Sequence, residues 1–295
     1  MPATYNDLYL DARRALKETG VEQAQLEAQE LLCLASGKDR TQLIRDLPLY
    51  ASDGAAKRFR DLLERRMKGE PVAYLLGEWE FYGLTLDITR DVLIPRPDTE
   101  TLVERGILFV RDLPEGTRVL DLCAGSGCIG LAVAENCPNT SVILGEWSED
   151  ALRVCRQNIR RCGLGGQAQA AQVDALDPPP RVLRDFDLIL CNPPYIPTLE
   201  IRRLDPSVKD YEPHLALDGG EDGLKFYRAI AKKWKCALRP GGKLIFEVGY
   251  DQAQAVEALM AEQGYQDLRT TMDPGMHWRV VEGCNGRRAE HEEMV

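Results

Sequence analysis

From Thr117 onward, short apolar runs alternate with helical patterns, and this alternation constrains the chain more than any other feature. Arg118–Cys123, Ser141–Glu146, Ala168–Val173, Phe186–Cys191 and Lys243–Val248 read as strands. Cys128–Asn136, Ser148–Arg161, Leu224–Leu238 and Gln252–Gln263 read as helices between them, with two last strands near Tyr265–Thr271 and His277–Glu282. Pro240-Gly241-Gly242 reads as the stop after the third of these helices. Such an order implies an α/β fold with a largely parallel sheet and helices on both faces. In open sheets of this kind ligands bind beyond the carboxyl ends of the strands.

Asp121-Leu122-Cys123-Ala124-Gly125-Ser126-Gly127 sits at such an end, between the first strand and a helix. Small residues there let backbone approach a ligand closely. Glu146 ends the next strand, about 20 residues on, where a carboxylate can accept hydrogen bonds from both hydroxyls of a ribose. A dinucleotide site wants Gly-x-Gly-x-x-Gly so that a pyrophosphate meets the helix N-terminus. Cys-x-Gly-x-Gly followed by Cys128 and Ile129 fits S-adenosylmethionine instead, which has a ribose and no phosphate. A ligand-free strand-to-helix turn is the simpler reading, and Glu146 in register argues against it.

Asn192-Pro193-Pro194-Tyr195 follows the strand Phe186–Cys191 directly. An amide or aromatic amine nitrogen is a poor nucleophile because its lone pair is delocalised, so it needs orientation more than a strong base. The Asn192 side-chain oxygen and the Pro193 carbonyl can each accept one N–H of an –NH2 group and favour the charge that develops on it. The prolines stiffen the turn. Tyr195 offers an aromatic wall to a planar group or a cationic methyl donor. Together with the glycine loop and Glu146, the turn points to an amino-group methyltransferase, without choosing between a nucleic-acid base and a glutamine side chain.

Residues 4 to 68 read as helical, with Leu8, Ala12, Ala15 and Leu16 at helical spacing and Gly20, Gly37 and Gly69 as stops. Trp79, Phe81, Leu84, Leu86 and Ile88 then alternate around Gly83, as in a short β-hairpin. Ile94-Pro95-Arg96-Pro97 leads into a helix for which Asp98 or Thr99 is the expected N-cap. The expected division is a helical domain over residues 1–70, a hairpin linker over 71–97 and a catalytic domain over 98–295. Pro197–Asp222 lacks periodicity and follows the catalytic turn, so it is expected to form part of a substrate-binding lid.

The chain as a whole resembles the release-factor N5-glutamine methyltransferases. The resemblance rests on Gly77–Phe81, Ile94–Glu100, Asp121–Gly127, Asn192–Ile196, Tyr211-Glu212-Pro213, Leu215–Gly220, Asp222-Gly223 and Glu247–Tyr250. It implies a class I, Rossmann-like, seven-stranded methyltransferase domain behind a small helical domain. It also implies methylation of the glutamine in the Gly-Gly-Gln loop of peptide chain release factors, with S-adenosylhomocysteine as the product and no metal. By resemblance, Cys123, Ala124, Gly125, Ser126 and Gly127 line the methionine part of the cofactor. Glu146 holds the ribose, and Asp174 and Ala175 lie near adenine. Asn192 and the Pro193 carbonyl grip the substrate amide, with Pro194 and Tyr195 beside it. Ala175 stands where relatives often carry an aromatic, and His277-Trp278-Arg279 departs from the family's Asp-Arg pattern.

Arg96 is read either as a group that positions a carboxylate or carbonyl or as a hairpin salt bridge. Ser126 is read as a helix cap or ligand contact. His214, His277 and His291 show no metal-ligand spacing. The nine cysteines form no Cys-x-x-Cys pair, as expected of free thiols in a reducing compartment. The N-terminus shows no signal-peptide pattern, and no stretch approaches the roughly 18 apolar residues of a membrane span. A cytoplasmic monomer is therefore expected, without membrane or direct DNA partners.

The net charge of −10 opposes nonspecific nucleic-acid binding. Arg58, Arg60, Arg65, Arg66 and Lys68 read as a solvated helix face, with docking to an RNA-bearing partner as the minority reading. Glutamine methylation of a ribosomal protein, methylation of an exocyclic base amine, and a noncatalytic module that keeps the cofactor fold are the rival functions.

Overall fold

The computed structural model describes residues 3–286, so His291 and the acidic run Glu290–Glu293 lie outside the described residues. Among the described residues two compact units are present: the chain up to residue 78 with 205–211, and residues 79–204 with the chain from 212 onward.

The first unit is helical. Helix α1 (Tyr5–Glu18) starts with a capping box, in which the Asp7 amide donates to Thr4 Oγ1 at 3.1 Å and the Thr4 amide to Asp7 Oδ2 at 2.9 Å. Helix α2 (Ala24–Ser36) stops at Gly37 in the left-handed conformation. Helices α3 (Arg40–Asp46) and α4 (Asp53–Met67) follow, capped by Asp39 and Ser52. Their apolar faces bury Leu8, Leu16, Leu31, Leu32, Leu43 and Phe59 in one core. Most of the basic run on α4 is neutralised: Arg65 pairs with Glu70, Arg66 with Glu27 and Lys68 with Glu64. This favours the solvated-face reading. A helix α5 (Val72–Leu76) stands where the pattern suggested only the approach to a hairpin.

That hairpin, β1 (Glu78–Phe81) and β2 (Leu84–Asp87), starts at the last residue of the first unit and opens the second. It is anchored by Asn158, whose Oδ1 accepts from the Asp87 amide at 2.6 Å and whose Nδ2 donates to the Asp87 carbonyl at 3.1 Å. Then come α6 (Glu100–Val110), β3 (Thr117–Leu122), α7 (Cys128–Asn136), β4 (Thr140–Glu146), α8 (Glu149–Arg161), β5 (Ala168–Gln172) and β6 (Phe186–Cys191). A four-residue helix α9 (Pro206–Lys209) falls in the stretch grouped with the first unit. Helix α10 (Lys225–Lys233), β7 (Leu238–Glu247), α11 (Ala253–Glu262), β8 (Tyr265–Met272) and β9 (Trp278–Asn285) complete the chain.

The seven-stranded sheet has the order β5-β4-β3-β6-β7-β9-β8, and β9 runs antiparallel to β7 and β8. The order reverses direction between β3 and β6, so the loops after β3 and β6 open on the same crevice. Strand β6 is buried at every residue. It joins Phe246, Tyr227 and Trp234 in the main core.

Three local expectations differ from the fold. Pro240-Gly241-Gly242 does not end a helix but lies inside β7, where pairing to β6 jumps from Phe186↔Leu238 to Leu188↔Lys243. The extra residues form a bulge, which glycine tolerates. Thr99 occupies the N-cap position of α6 but makes no capping bond, because its hydroxyl serves Asn192. The stretch 197–222 is not irregular throughout: helical turns occupy Ile201–Arg203, Pro206–Lys209 and His214–Ala216.

Candidate active site

The loop after β3 is shaped by its neighbours. Cys123 adopts φ 66°, a left-handed conformation rare for a side-chain-bearing residue. Gly127 adopts φ 84° and starts α7; a Cβ there would lie 3.1 Å from Cys155 Sγ and 3.2 Å from Leu144. The N-cap of α7 is thus Gly127, and Ser126 caps nothing. Glu146, at the end of β4, accepts from the Gly125 amide at 2.9 Å and, through its other oxygen, from the Ser148 amide at 2.8 Å. Each oxygen keeps a lone pair, so the carboxylate is fixed in place and still able to bind two hydroxyls. Beneath the loop, burial pushes the Asp121 carboxyl up to about 7 although the Gly130 amide donates to it.

These residues border a cavity of about 550 Å³. Cys123, Ala124, Gly125, Ser126, Glu146, Asp174, Ala175, Asn192, Pro194 and Arg96 all line it; Gly127, Pro193 and Tyr195 are not among its lining residues. The lining combines the small residues of the glycine loop with the carboxylates of Asp91, Glu146, Asp150, Asp174 and Asp218, against the cations Arg90, Arg96 and Lys225. The fixed Glu146 carboxylate beside a small-residue loop fits a nucleoside with two free hydroxyls, and the excess of carboxylates over cations in the lining fits a cationic sulfonium. Asp174 Oδ1 accepts the Leu176 amide at 2.8 Å, and the Ala175 carbonyl accepts Trp234 Nε1 at 3.0 Å, so this edge is rigid.

Trp147, directly after Glu146, lines the same cavity and is 53% exposed. It gives the cavity an exposed aromatic ring, which Ala175 does not supply. Stacking on a nucleobase is worth about 1–3 kcal/mol. We therefore expect S-adenosylhomocysteine to quench tryptophan fluorescence in the wild type. Trp147→Ala should remove the quench and weaken binding roughly tenfold by calorimetry. An unchanged quench in the variant would assign the signal to another tryptophan.

The turn after β6 is held from several sides. Asn192 Nδ2 donates to Thr99 Oγ1 at 3.4 Å. Gln252 Nε2 donates to the Tyr195 carbonyl at 2.9 Å. The Ile196 amide donates to the Leu217 carbonyl at 3.0 Å, the Gly219 amide to the Ile196 carbonyl at 2.9 Å, and the Thr198 amide to the Gly220 carbonyl at 2.9 Å. A Cβ on Gly219 would lie 2.7 Å from Tyr195 Cα. The Leu-Asp-Gly-Gly segment is therefore a backbone clamp on the catalytic turn. The Tyr195 ring packs on the main core, and burial pushes its hydroxyl up to about 12, so it stays protonated.

Arg96 pairs with Glu212, whose other oxygen accepts the Ile94 amide at 3.3 Å, so it acts as a salt bridge on the cavity wall. Burial raises the Glu212 carboxyl and Arg96 opposes that rise. Arg279, in the segment that departs from the family pattern, pairs with Asp98 and Asp273 at 3.1 Å each and donates to the Val248 carbonyl at 3.3 Å. Asp98 and Val248 lie far from Arg279 in sequence, and nothing in the local pattern foretold them. His214 lines the cavity, whereas His277 lies 3.7 Å from the Asp273 carboxylate in the turn before β9.

Comparison with known proteins accords with this geometry. Residues 7–77 match the family description "PrmC N-terminal domain", and residues 103–203 match "Methyltransferase small domain". The release factor glutamine methyltransferase of Geobacter sulfurreducens is 42% identical over 276 residues, covering 93% of this chain and 94% of that protein. The chain belongs to the release factor glutamine methyltransferase family. The family's Clostridium acetobutylicum member is 37% identical over 280 residues, covering 95% of this chain and 98% of its own. The catalytic domain of hMettl16, solved with an RNA hairpin, shares the fold at a TM-score of 0.53 and 18% identity, covering 79% of this chain and 82% of that one. Membership makes the chain a methyltransferase, and its second unit carries the family's seven-stranded sheet.

Proposed function

We infer that this enzyme methylates the side-chain amide nitrogen of the glutamine in the Gly-Gly-Gln loop of peptide chain release factors. One observation carries the reading: Asn192 and the fixed Glu146 carboxylate border one continuous cavity. Bound against Glu146, with its methionine part along Cys123–Gly127 and its base near Asp174, Ala175 and Trp147, S-adenosylmethionine supplies an electrophilic methyl on a sulfonium.

The protein's part is orientation. Asn192 gives its amide hydrogen to Thr99, which leaves Oδ1 to accept an N–H of the substrate carboxamide. The Pro193 carbonyl accepts the other. Two acceptors hold the nitrogen in the plane that faces the methyl and favour the positive charge that grows there. Pro194 and Tyr195 keep the turn stiff, and Leu217–Gly220 clamps it. The released proton is left to water. Residues 1–70 are proposed to recognise the body of the factor, 71–97 to link, and 98–295 to hold the chemistry. Pro213, His214, Leu215 and Ala216 line the cavity, which supports a role for this stretch over the substrate. A translation factor as substrate and nine free cysteines support a cytoplasmic setting for the reaction.

Labelled methyl transfer to purified, unmodified release factor, to ribosomal proteins and to RNA, run side by side, tests this reading. Label in the factor alone is expected. Label in RNA or a ribosomal protein, with none in a folded factor, would overturn it.

A further inference from the structure

Strands β6 and β7 are parallel with Cys191 opposite Phe246, so Asn192 and Glu247 leave the sheet side by side. Glu247 is only 2% exposed, and its Oε2 has no hydrogen-bond partner. Among the groups around it, the Thr99 hydroxyl and the Asn192 carboxamide offer donors that favour its charged form. Thr99 is itself 2% exposed and accepts from Asn192 Nδ2 at 3.4 Å. Burying a carboxylate at this depth is costly unless it is paired and hydrogen-bonded.

A carboxylate can only accept hydrogen bonds. Placed behind Asn192, it draws the –NH2 end of the carboxamide toward itself and turns the oxygen outward. A carboxamide without such a neighbour can rotate by half a turn and present N–H groups to the N–H groups of the substrate.

We propose that Glu247 is a positioning residue which, with the Thr99 hydroxyl, holds Asn192 Nδ2 so that Asn192 Oδ1 faces the substrate amide. This rests on the amide-transfer reading given above. The groups facing Glu247 come from every neighbouring element. They are Asp98 and Thr99 ahead of α6, Cys128 of α7, Asn192 and Tyr195 after β6, Tyr227 of α10 and Arg279 of β9. Arg279 is shared between Asp98 and Asp273, so its charge only partly offsets burial. Burial, the largest cause, pushes the Glu247 carboxyl up to about 7. Below that pH the group is protonated and can donate, which removes the preference for the productive rotamer of Asn192. Turnover should therefore rise with pH through about 7.

The test uses the full-length enzyme with S-adenosylmethionine and unmodified release factor. It compares wild type, Glu247→Gln, Glu247→Leu and Thr99→Val. We expect kcat to fall about ten- to a hundredfold in Glu247→Leu and Thr99→Val, with S-adenosylhomocysteine affinity and KM for the factor unchanged. Glu247→Gln keeps an acceptor oxygen and should retain more turnover than Glu247→Leu, with a flat pH profile. Wild-type turnover and an unaltered profile in both Glu247→Gln and Thr99→Val would overturn the proposal. So would kcat losses that track lost cofactor affinity, the mark of a merely structural role. A wild-type enzyme that labels no factor would instead overturn the functional reading, and this proposal with it.

Discussion

Asn192→Ala is expected to lower kcat about a thousandfold, a loss of ~4 kcal/mol in transition-state stabilisation, while cofactor affinity stays near that of the wild type. The substitution removes the side-chain acceptor for the substrate amide and leaves Glu146, the glycine loop and the Pro193 carbonyl in place. The residual rate is what proximity and the one remaining acceptor supply. Single-turnover methylation and calorimetry with S-adenosylhomocysteine check the two halves of this expectation. Loss of both activities together would mean that Asn192 supports the cavity rather than the substrate.

Gly219→Ala is expected to lower kcat about a hundredfold without touching any group that meets the substrate. Its Cβ would lie 2.7 Å from Tyr195 Cα, 2.8 Å from Tyr195 C and 2.9 Å from Gly223 Cα, all backbone atoms that cannot rotate away. Either the clamp or the Asn-Pro-Pro-Tyr turn must shift. Misplacement by about 1 Å costs roughly two orders of magnitude in rate. Kinetics at saturating cofactor, beside a thermal melt, separate this from unfolding. A folded variant with wild-type kcat would show that the clamp is not needed to aim the turn.

Much of this architecture is legible in the sequence because it is local. Phe186–Cys191 and Cys128–Asn136 can be bounded correctly, since an apolar run broken only at Asp187 and a glycine-to-helix transition mark their ends. Glu146 can be picked out by its distance from the loop. Other features are hidden for physical reasons. Pro240-Gly241-Gly242 has the composition of a stop signal and becomes a bulge only because β6 pairs on both sides of it. Val72–Leu76 is too short for a helical period to show. Thr99 looks like a cap because residue type at a helix start says nothing about which partner its hydroxyl finds. The group Asp98, Thr99, Asn192, Glu247, Arg279 is assembled from four separate stretches, and such a network is invisible until the sheet order brings them together.

The proposed reaction is a single methyl transfer to a single nitrogen atom. Purified release factor that has never been methylated should be incubated with this enzyme and S-adenosylmethionine, digested, and mapped by mass spectrometry. One added methyl on the glutamine of the Gly-Gly-Gln loop, absent when Asn192→Ala replaces the wild type, is the expected result. A folded factor left unmodified by an enzyme shown to bind the cofactor would contradict the account.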